Sequence, residues 1–519
     1  MTAIGIAAVE GGLLFEPQLV LQSGLVAETT RALGLVAENW LFLLFGVAVG
    51  MALGTIPGMG GSVTLAVLIP FTLALDGASA FTLLAAAMGS TTFAGSITAI
   101  LFNVPGTSSN GATIIDGYPM AQQGKAAIAI GASAFSSAGG AVIGIGIFYL
   151  LIPFVVDIVL AFGPPQRFWL VLIGLGVLPL VSGKRMLAGL AIGGLGLMFS
   201  YVGTSVITGE RIFVLNEPFL YDGIGLIPAI VGLFAIAEVV KLATLDRGVL
   251  QEGVEIKGNQ FDGIREVFKR KSIFIRSAII GTLVGAIPGV GGTAATFISY
   301  GHAVQTSKTP ETFGEGNVEG VIASEAANDS KDGGQLFPTL GLGIPGSGST
   351  AVLLGAFIMH GILPGPQMLI NHLDLMLVIV FALLASNVLT SIIGLATAQY
   401  LVLVTKVPIT VIFPIITALS LVAVYITRNN FGDVWLALAF GLLGVLLMYV
   451  QITRIPIIIA LVLGEIMENN YHITLQLYDT GAAAFFTGWL NVMLVVTLLV
   501  TVLFPVLKPY LSKRTSAFS

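Results

Sequence analysis

The chain alternates long apolar runs with short polar interruptions, and the interruptions recur in matched pairs. Crossing a bilayer takes about 20 predominantly apolar residues per helix. From Trp40 the sequence stays apolar to a break at Gly54–Ser62 (GTIPGMGGS). It resumes to Leu75, then runs from Ala78 to Phe102 before a second break at Asn103–Asn110 (NVPGTSSN). A polar connection from Asp116 to Lys125 leads into apolar segments at 127–163, 167–183, 186–202 and 223–244. Residues 245–276 are charged. Beyond them come a short span, a third break at Gly285–Thr293 (GAIPGVGGT), a polar segment, and a fourth break at Gly343–Thr350 (GIPGSGST). Apolar segments at 375–404, 408–426, 433–450, 454–467 and 487–507 complete the chain. The pattern predicts an all-α polytopic membrane protein with about 10–12 transmembrane spans, some of them broken or re-entrant.

The second half restates the first. Ala191–Val202 (AIGGLGLMFSYV) aligns without gaps to Ala439–Val450 (AFGLLGVLLMYV), and Pro228–Glu238 corresponds to Pro456–Glu465. Such long-period similarity indicates two structural repeats. The expected organisation is an interfacial extension (1–38), a first membrane repeat (39–244), a charged linker (245–276), a second repeat (277–486), and a final span with a tail (487–519). Basic residues flanking spans mark the cytoplasmic side. This places the linker inside, with Arg247, Lys257, Arg265, Lys269, Arg270, Lys271 and Arg276. Counting spans away from it puts Lys125, Lys184, Arg185, Lys406, Arg454, Lys508, Lys513 and Arg514 inside as well, and leaves Arg428 outside. On that count the repeats are inverted and the N-terminus and C-terminal tail lie on opposite sides, the tail in the cytoplasm.

A helix broken inside a bilayer frees backbone groups that lipid cannot satisfy, so the breaks are expected where protein, water or a solute supplies partners. Each restart presents unpaired N–H groups with partial positive charge, and each stop presents carbonyls. Glycine allows close backbone approach, and hydroxyls add neutral donors and acceptors. The candidate solute-binding residues are Pro57, Gly58, Gly60, Gly61 and Ser62 in the first break, and Asn103, Pro105, Gly106, Thr107, Ser108, Ser109 and Asn110 in the second. The third supplies Pro288, Gly289, Gly291, Gly292 and Thr293, and the fourth Pro345, Gly346, Ser347, Gly348, Ser349 and Thr350. Carboxylates suit the N–H ends and a desolvated cation suits the carbonyl ends. No Arg or Lys lies in any break, so an anion is expected to be held by dipoles and hydroxyls without fixed positive side chains. The competing reading is that these Pro-Gly motifs serve close packing and kinks alone. Glu325, Asn328 and Asp329 are candidates for a coupling cation or for the solvation of a loop. Glu238 and Glu465 fall near span ends.

Composition sharpens the class. Of 519 residues, 56% are hydrophobic and only 9% charged, with a mean hydropathy of +0.98, against about 25% charged in soluble domains. The formal charge of −5 carries little information, because loop placement matters more than the sum. With no cysteine, disulfides and thiolate chemistry are absent. The first 16 residues have no Lys or Arg to start a signal peptide. The four histidines share no metal-ligand spacing, there is no phosphate-binding GxxxxGK[ST] loop and no HExxH, and no hydroxyl has a base at recognisable spacing. An enzyme is therefore not expected, nor is a resident metal or cofactor. An anion channel, or a carrier for another organic anion, is the alternative to a carboxylate carrier.

Four stretches carry a resemblance: GTIPGMGGSVTLAVLIPFT, NVPGTSSNGATIIDGYPMAQQGKA, EPFLYDGIGLIPAIVGLFAIAEVV and ASEAANDSKDGGQLFPTLGLGIPGSGSTAVLLGAFIMHGILPGP. Together they resemble the large membrane subunit of the tripartite tricarboxylate transporters, the TctA family, from about Glu38 to past Pro456. The resemblance implies a secondary transporter of the bacterial inner membrane driven by a Na⁺ or H⁺ gradient. It implies two partners, a small TctB-like membrane subunit and a TctC-like periplasmic protein that captures a carboxylate such as citrate. Asn328-Asp329 departs from the Asn-Asn more usual there, and the extension before Glu38 lies outside the resemblance.

Overall fold

The computed structural model describes residues 16–56, 58–160, 162–176, 185–205, 209–244, 256, 258–288, 291–404 and 409–500. The expectations for Pro57, Lys184, Arg247, Lys257, Gly289, Lys406, the first fifteen residues and the tail from 501 lie outside these residues. What is described is almost wholly helical, with one small antiparallel pair, Gly203–Thr204 with Arg211–Ile212.

Among the described residues, four helices are long and apolar enough to cross a membrane: Gly77–Phe102, Ser108–Phe154, Leu373–Tyr400 and Phe431–Tyr449. A fifth candidate is a pair, Gly24–Glu38 and Trp40–Gly54, bent by 69°. Among the described residues, uninterrupted helices thus fall short of the 10–12 spans expected, because the Pro-Gly breaks leave pieces such as Gly61–Ala74 and Gly348–Met359 too short to cross alone.

Two stretches read as polar connections are helical. The 116–125 region continues from Gly111–Met120 through a π segment into Ala126–Leu160, with a kink where Gly124 takes φ 75°. The polar segment before the fourth break is the helix Val318–Leu336, opened by an Asn317 cap and buried from Gly320 onward. The charged linker likewise ends early, since Lys271 already opens the Lys271–Gly285 helix.

Small residues set the packing in both halves. Gly46, Gly50 and Gly54 press the Trp40–Gly54 helix onto Leu83, Ala87 and Thr91 of Gly77–Phe102. Gly281 and Gly285 press Lys271–Gly285 onto Ala327 and Lys331 of Val318–Leu336 in the same way. A side chain at these points would meet the neighbouring backbone, so only glycine permits the approach. The long helices then exchange partners. Ala126–Leu160, of the first half, lies against Val318–Leu336 of the second, with Gly140 on Ala326 and Gly144 on Ser330. Leu373–Val404, of the second half, lies against Gly77–Phe102 of the first, with Gly394 on Phe93 and Gly89 on Ser386 and Asn387. Each half completes the other's core.

Candidate functional site: the cavity where four breaks meet

The exchange brings all four breaks to one place. A cavity of about 700 Å³ is lined by Gly58, Gly60, Gly61 and Ser62 from the first break and by Thr107, Ser108 and Ser109 from the second. Gly291, Gly292 and Thr293 of the third and Ser347, Gly348 and Ser349 of the fourth complete these walls. That volume suits a small molecule. The breaks touch crosswise between halves: Ser62 Oγ lies 3.4 Å from Ser349 Oγ, and Thr293 Oγ1 donates to Ser108 Oγ at 2.9 Å.

The breaks are held by backbone contacts between them and by side-chain caps. In the first, Gly58, at φ 83°, donates its N–H to Gly106 O of the second. Gly106 in turn sits where any side chain would strike Gly54 O and the Gly95 backbone. Two restarts carry reciprocal capping boxes. Thr107 pairs with Asn110, whose Oδ1 accepts from Thr107 N at 3.0 Å and from Thr107 Oγ1 at 2.6 Å. Ser347 pairs with Thr350, and Ser347 Oγ also donates to Gln335 Oε1 at 2.9 Å. The restart at Gly61 has no side-chain cap: Val63 and Thr64 donate to Gly60 O, which leaves the N–H groups of Gly61 and Ser62, both lining the cavity, for a ligand.

Not every candidate reaches the wall. Asn103, Pro105, Gly106, Asn110, Pro288, Pro345, Gly346 and Thr350 shape the breaks without lining the cavity. Asn103 ends the Gly77–Phe102 helix in a left-handed conformation, φ 59°. Glu325, Asn328 and Asp329 are fully buried on Val318–Leu336, also off the cavity, so they do not solvate a loop.

Charge in the cavity comes from outside the breaks, which corrects the expectation of a site without fixed positive side chains. Lys241, Lys331 and Arg454 line it, together with Glu238 and Asp332. Lys331 is nearly buried and pairs with Asp332 at 2.8 Å. Its methylene stem rests on Gly292, where a side chain would displace it. Glu238 is no solvated span end. Its buried carboxylate accepts from Arg454 at 2.9 Å and from Lys241 at 2.8 Å. Arg454 also donates to Leu233 O at 2.8 Å and stacks over the Phe234 ring at 5.2 Å. Glu465 lines a second cavity of about 870 Å³ beside Arg428 and Glu468. Among the described residues no group of three or more His, Cys, Asp or Glu could hold a metal ion.

Sequence reasoning missed these charges because the residues are far apart and obey no spacing. The available signal was the Lys331-Asp332 pair, a base and an acid side by side in the stretch that leads into the fourth break.

Over 484 residues the chain is 30% identical to an uncharacterized 52.8 kDa protein in the TAR-I ttuC' 3' region of Agrobacterium vitis, which covers 93% of this chain and 96% of that protein. A second relative, in the TAR-II ttuC' 3' region of the same organism, is 32% identical over 207 residues, or 40% of this chain and 86% of its own length. No solved structure matches. The model of the tripartite tricarboxylate transporter TctA family matches residues 40–459, a range that begins where the apolar pattern begins and takes in all four breaks and every charged residue of the cavity; the chain belongs to that family.

Proposed function

We propose that this chain is the membrane carrier of a binding-protein-dependent tripartite system that imports a small di- or tricarboxylate by alternating access, driven by a Na⁺ or H⁺ gradient. Its setting is the bacterial inner membrane, with a small TctB-like subunit and a periplasmic TctC-like binding protein as partners. The observation that carries the reading is the convergence of four helix breaks and three basic side chains on one cavity. Against Glu238 and Asp332, the three cations leave one net positive charge. Each restart adds the partial positive charge of a helix N-terminus, offset in part by the carbonyls of the preceding stop, so the walls keep a net positive character that suits an anion. Hydroxyls of Ser62, Ser108 and Ser349 supply directional donors for carboxylate oxygens.

The two halves would then act as inverted repeats, opening the cavity to one side and then the other. Glu325, Asn328 and Asp329 are the candidates for the coupling cation, placed beside the solute cavity and not in it. The test is uptake of labelled carboxylates into vesicles holding this chain and its partners, with Na⁺ and pH gradients varied separately. A carrier loses accumulation when the gradient collapses; an anion channel passes solute at rates insensitive to it. Because the chain has no cysteine, Thr107→Cys and Ser347→Cys give clean labelling sites. The carboxylate is expected to protect both, and protection of neither sinks the site assignment.

A further inference from the structure

The halves match at their breaks but not in the helices that lead into them. Gly50 rests on Ala87 as Gly281 rests on Ala327, and Gly54 rests on Thr91 as Gly285 rests on Lys331. In that register the counterparts of Glu325, Asn328 and Asp329 are Ala85, Met88 and Gly89. Only one half carries the polar set.

Both carboxylates are fully buried, and neither makes an ion pair among the described residues. Glu325 accepts from Ser96 Oγ on both oxygens, at 2.9 and 2.7 Å, and from Thr113 Oγ1. Asp329 accepts from Ser137 Oγ, while its Oδ1 has no hydrogen-bond partner. A buried carboxylate without a counter-ion calls for a proton or a cation. Ionisable groups on the surrounding elements are mostly engaged elsewhere: Lys331 with Asp332, and Asp116 with Tyr300. His302, Lys271 and Arg276 lie on the other helices packed there, and the neighbouring face of Ala126–Leu160 presents the hydroxyls of Ser136 and Ser137.

A continuous chain of hydrogen bonds joins Glu325 to the cavity. Ser96 Oγ donates to Glu325 and accepts from Asn110 Nδ2 at 2.7 Å, and Asn110 Oδ1 holds both the N–H and the hydroxyl of Thr107. Thr107 lines the cavity.

We propose that Glu325, with Asp329 one turn on, takes the coupling proton, and that Ser96 and Asn110 transmit its occupancy to Thr107 at the solute. The proposal rests on reading the cavity as a carboxylate site. At Glu325 a proton fits because both carboxylate oxygens already accept hydroxyl hydrogens from Ser96 and one accepts from Thr113. The open oxygens of Asn328 and Asp329 are where a Na⁺ ion competes, the outcome that the Na⁺ gradient below reads. A proton entering from one side turns Glu325 from acceptor into donor toward Ser96. The Ser96 hydrogen then turns to Thr92 O, 3.2 Å away, which Asn110 Nδ2 also uses at 3.0 Å. Competition there loosens Asn110 and frees the Thr107 hydroxyl for the solute. Release of the same proton on the other side restores the chain, with no bond formed to the solute and no electron moved.

The experiment uses the full chain with its partner subunits in proteoliposomes, with labelled citrate and labelled malate as probes. Glu325→Gln should still exchange labelled for unlabelled carboxylate, yet lose accumulation driven by an imposed pH gradient by about tenfold or more. Glu325→Asp should recover part of that accumulation. Asn110→Ala and Ser96→Ala should carry protons and carboxylate in a looser ratio. The proposal is overturned if Glu325→Gln accumulates like the unmodified chain, or if it elutes as folded protein but has lost exchange too. It is also overturned if a Na⁺ gradient at equal pH drives the unmodified chain while a pH gradient does not. An unmodified chain that exchanges neither probe overturns the carboxylate reading itself, an outcome distinct from failed coupling.

Discussion

Asp116 shows a buried carboxylate put to structural use. Its Oδ1 accepts the N–H groups of Gly314, Gly316 and Asn317 at 2.8, 3.0 and 2.8 Å, and its Oδ2 accepts the Tyr300 hydroxyl at 2.9 Å. Three of these donors tie the loop before Val318–Leu336 to the helix after the second break, and the fourth adds the Gly291–Thr306 helix. Asp116→Asn replaces one acceptor oxygen with a donor and should cost about 1–3 kcal/mol, read as a lower unfolding temperature in detergent. Arg454→Gln removes a cavity cation and leaves Glu238 with Lys241, so carboxylate affinity should fall by about tenfold in a binding assay, a loss typical of one charge-assisted hydrogen bond. At this scale the sequence shows glycines and hydroxyls clearly, because a Pro-Gly phrase inside an apolar run has few other readings. It hides partners such as Glu238 with Arg454, which only folding brings together.

Among elements, the most informative is Val318–Leu336, which is buried although its composition is polar. Hydropathy cannot recognise such a helix, since its partners are hydroxyls, amides and backbone of its neighbours instead of lipid. Its Asn317 cap and its small residues at helical spacing were the legible traces. The faces of Gly77–Phe102 and Ala126–Leu160, by contrast, follow from their apolar runs. Gly144→Val should place methyls into the Ser330 and Gly333 backbone and destabilise by about 1–3 kcal/mol, seen as earlier thermal aggregation. Outside the membrane segments, the amphipathic helix Gln260–Lys269 carries a pH-dependent contact. Glu266 hydrogen-bonds Lys269 and pairs with Arg270, and these hold its carboxyl below the usual range. A carboxyl lowered on folding stabilises above its unfolded pKa, and that contribution is lost as pH falls through the folded value. The protection of this helix's amides, relative to their intrinsic exchange rate at each pH, should therefore fall on acidification, and Glu266→Gln should remove that change in protection.

For the whole molecule, the proposed alternating access requires the crosswise contacts to separate when the cavity opens. A disulfide between Ser108→Cys and Thr293→Cys, whose hydroxyls now hydrogen-bond at 2.9 Å, should stop uptake and release it on reduction. Undiminished uptake in the oxidised state would show that these breaks move together. The duplicated Pro-Gly phrase is legible in the letters, and with it the matched placing of the breaks. The exchange of partners between the halves is not, because glycine contacts between Gly144 and Ser330, or Gly394 and Phe93, leave no trace in either half taken alone.

That exchange has a consequence for biosynthesis. As the chain is made from its N-terminus, Gly140 and Gly144 emerge long before Ala326 and Ser330, the surface on which they come to rest. The first half must wait in the bilayer with its groove unfilled, so a nascent chain halted in the 245–255 region should be open to proteases and chaperones until the rest is translated.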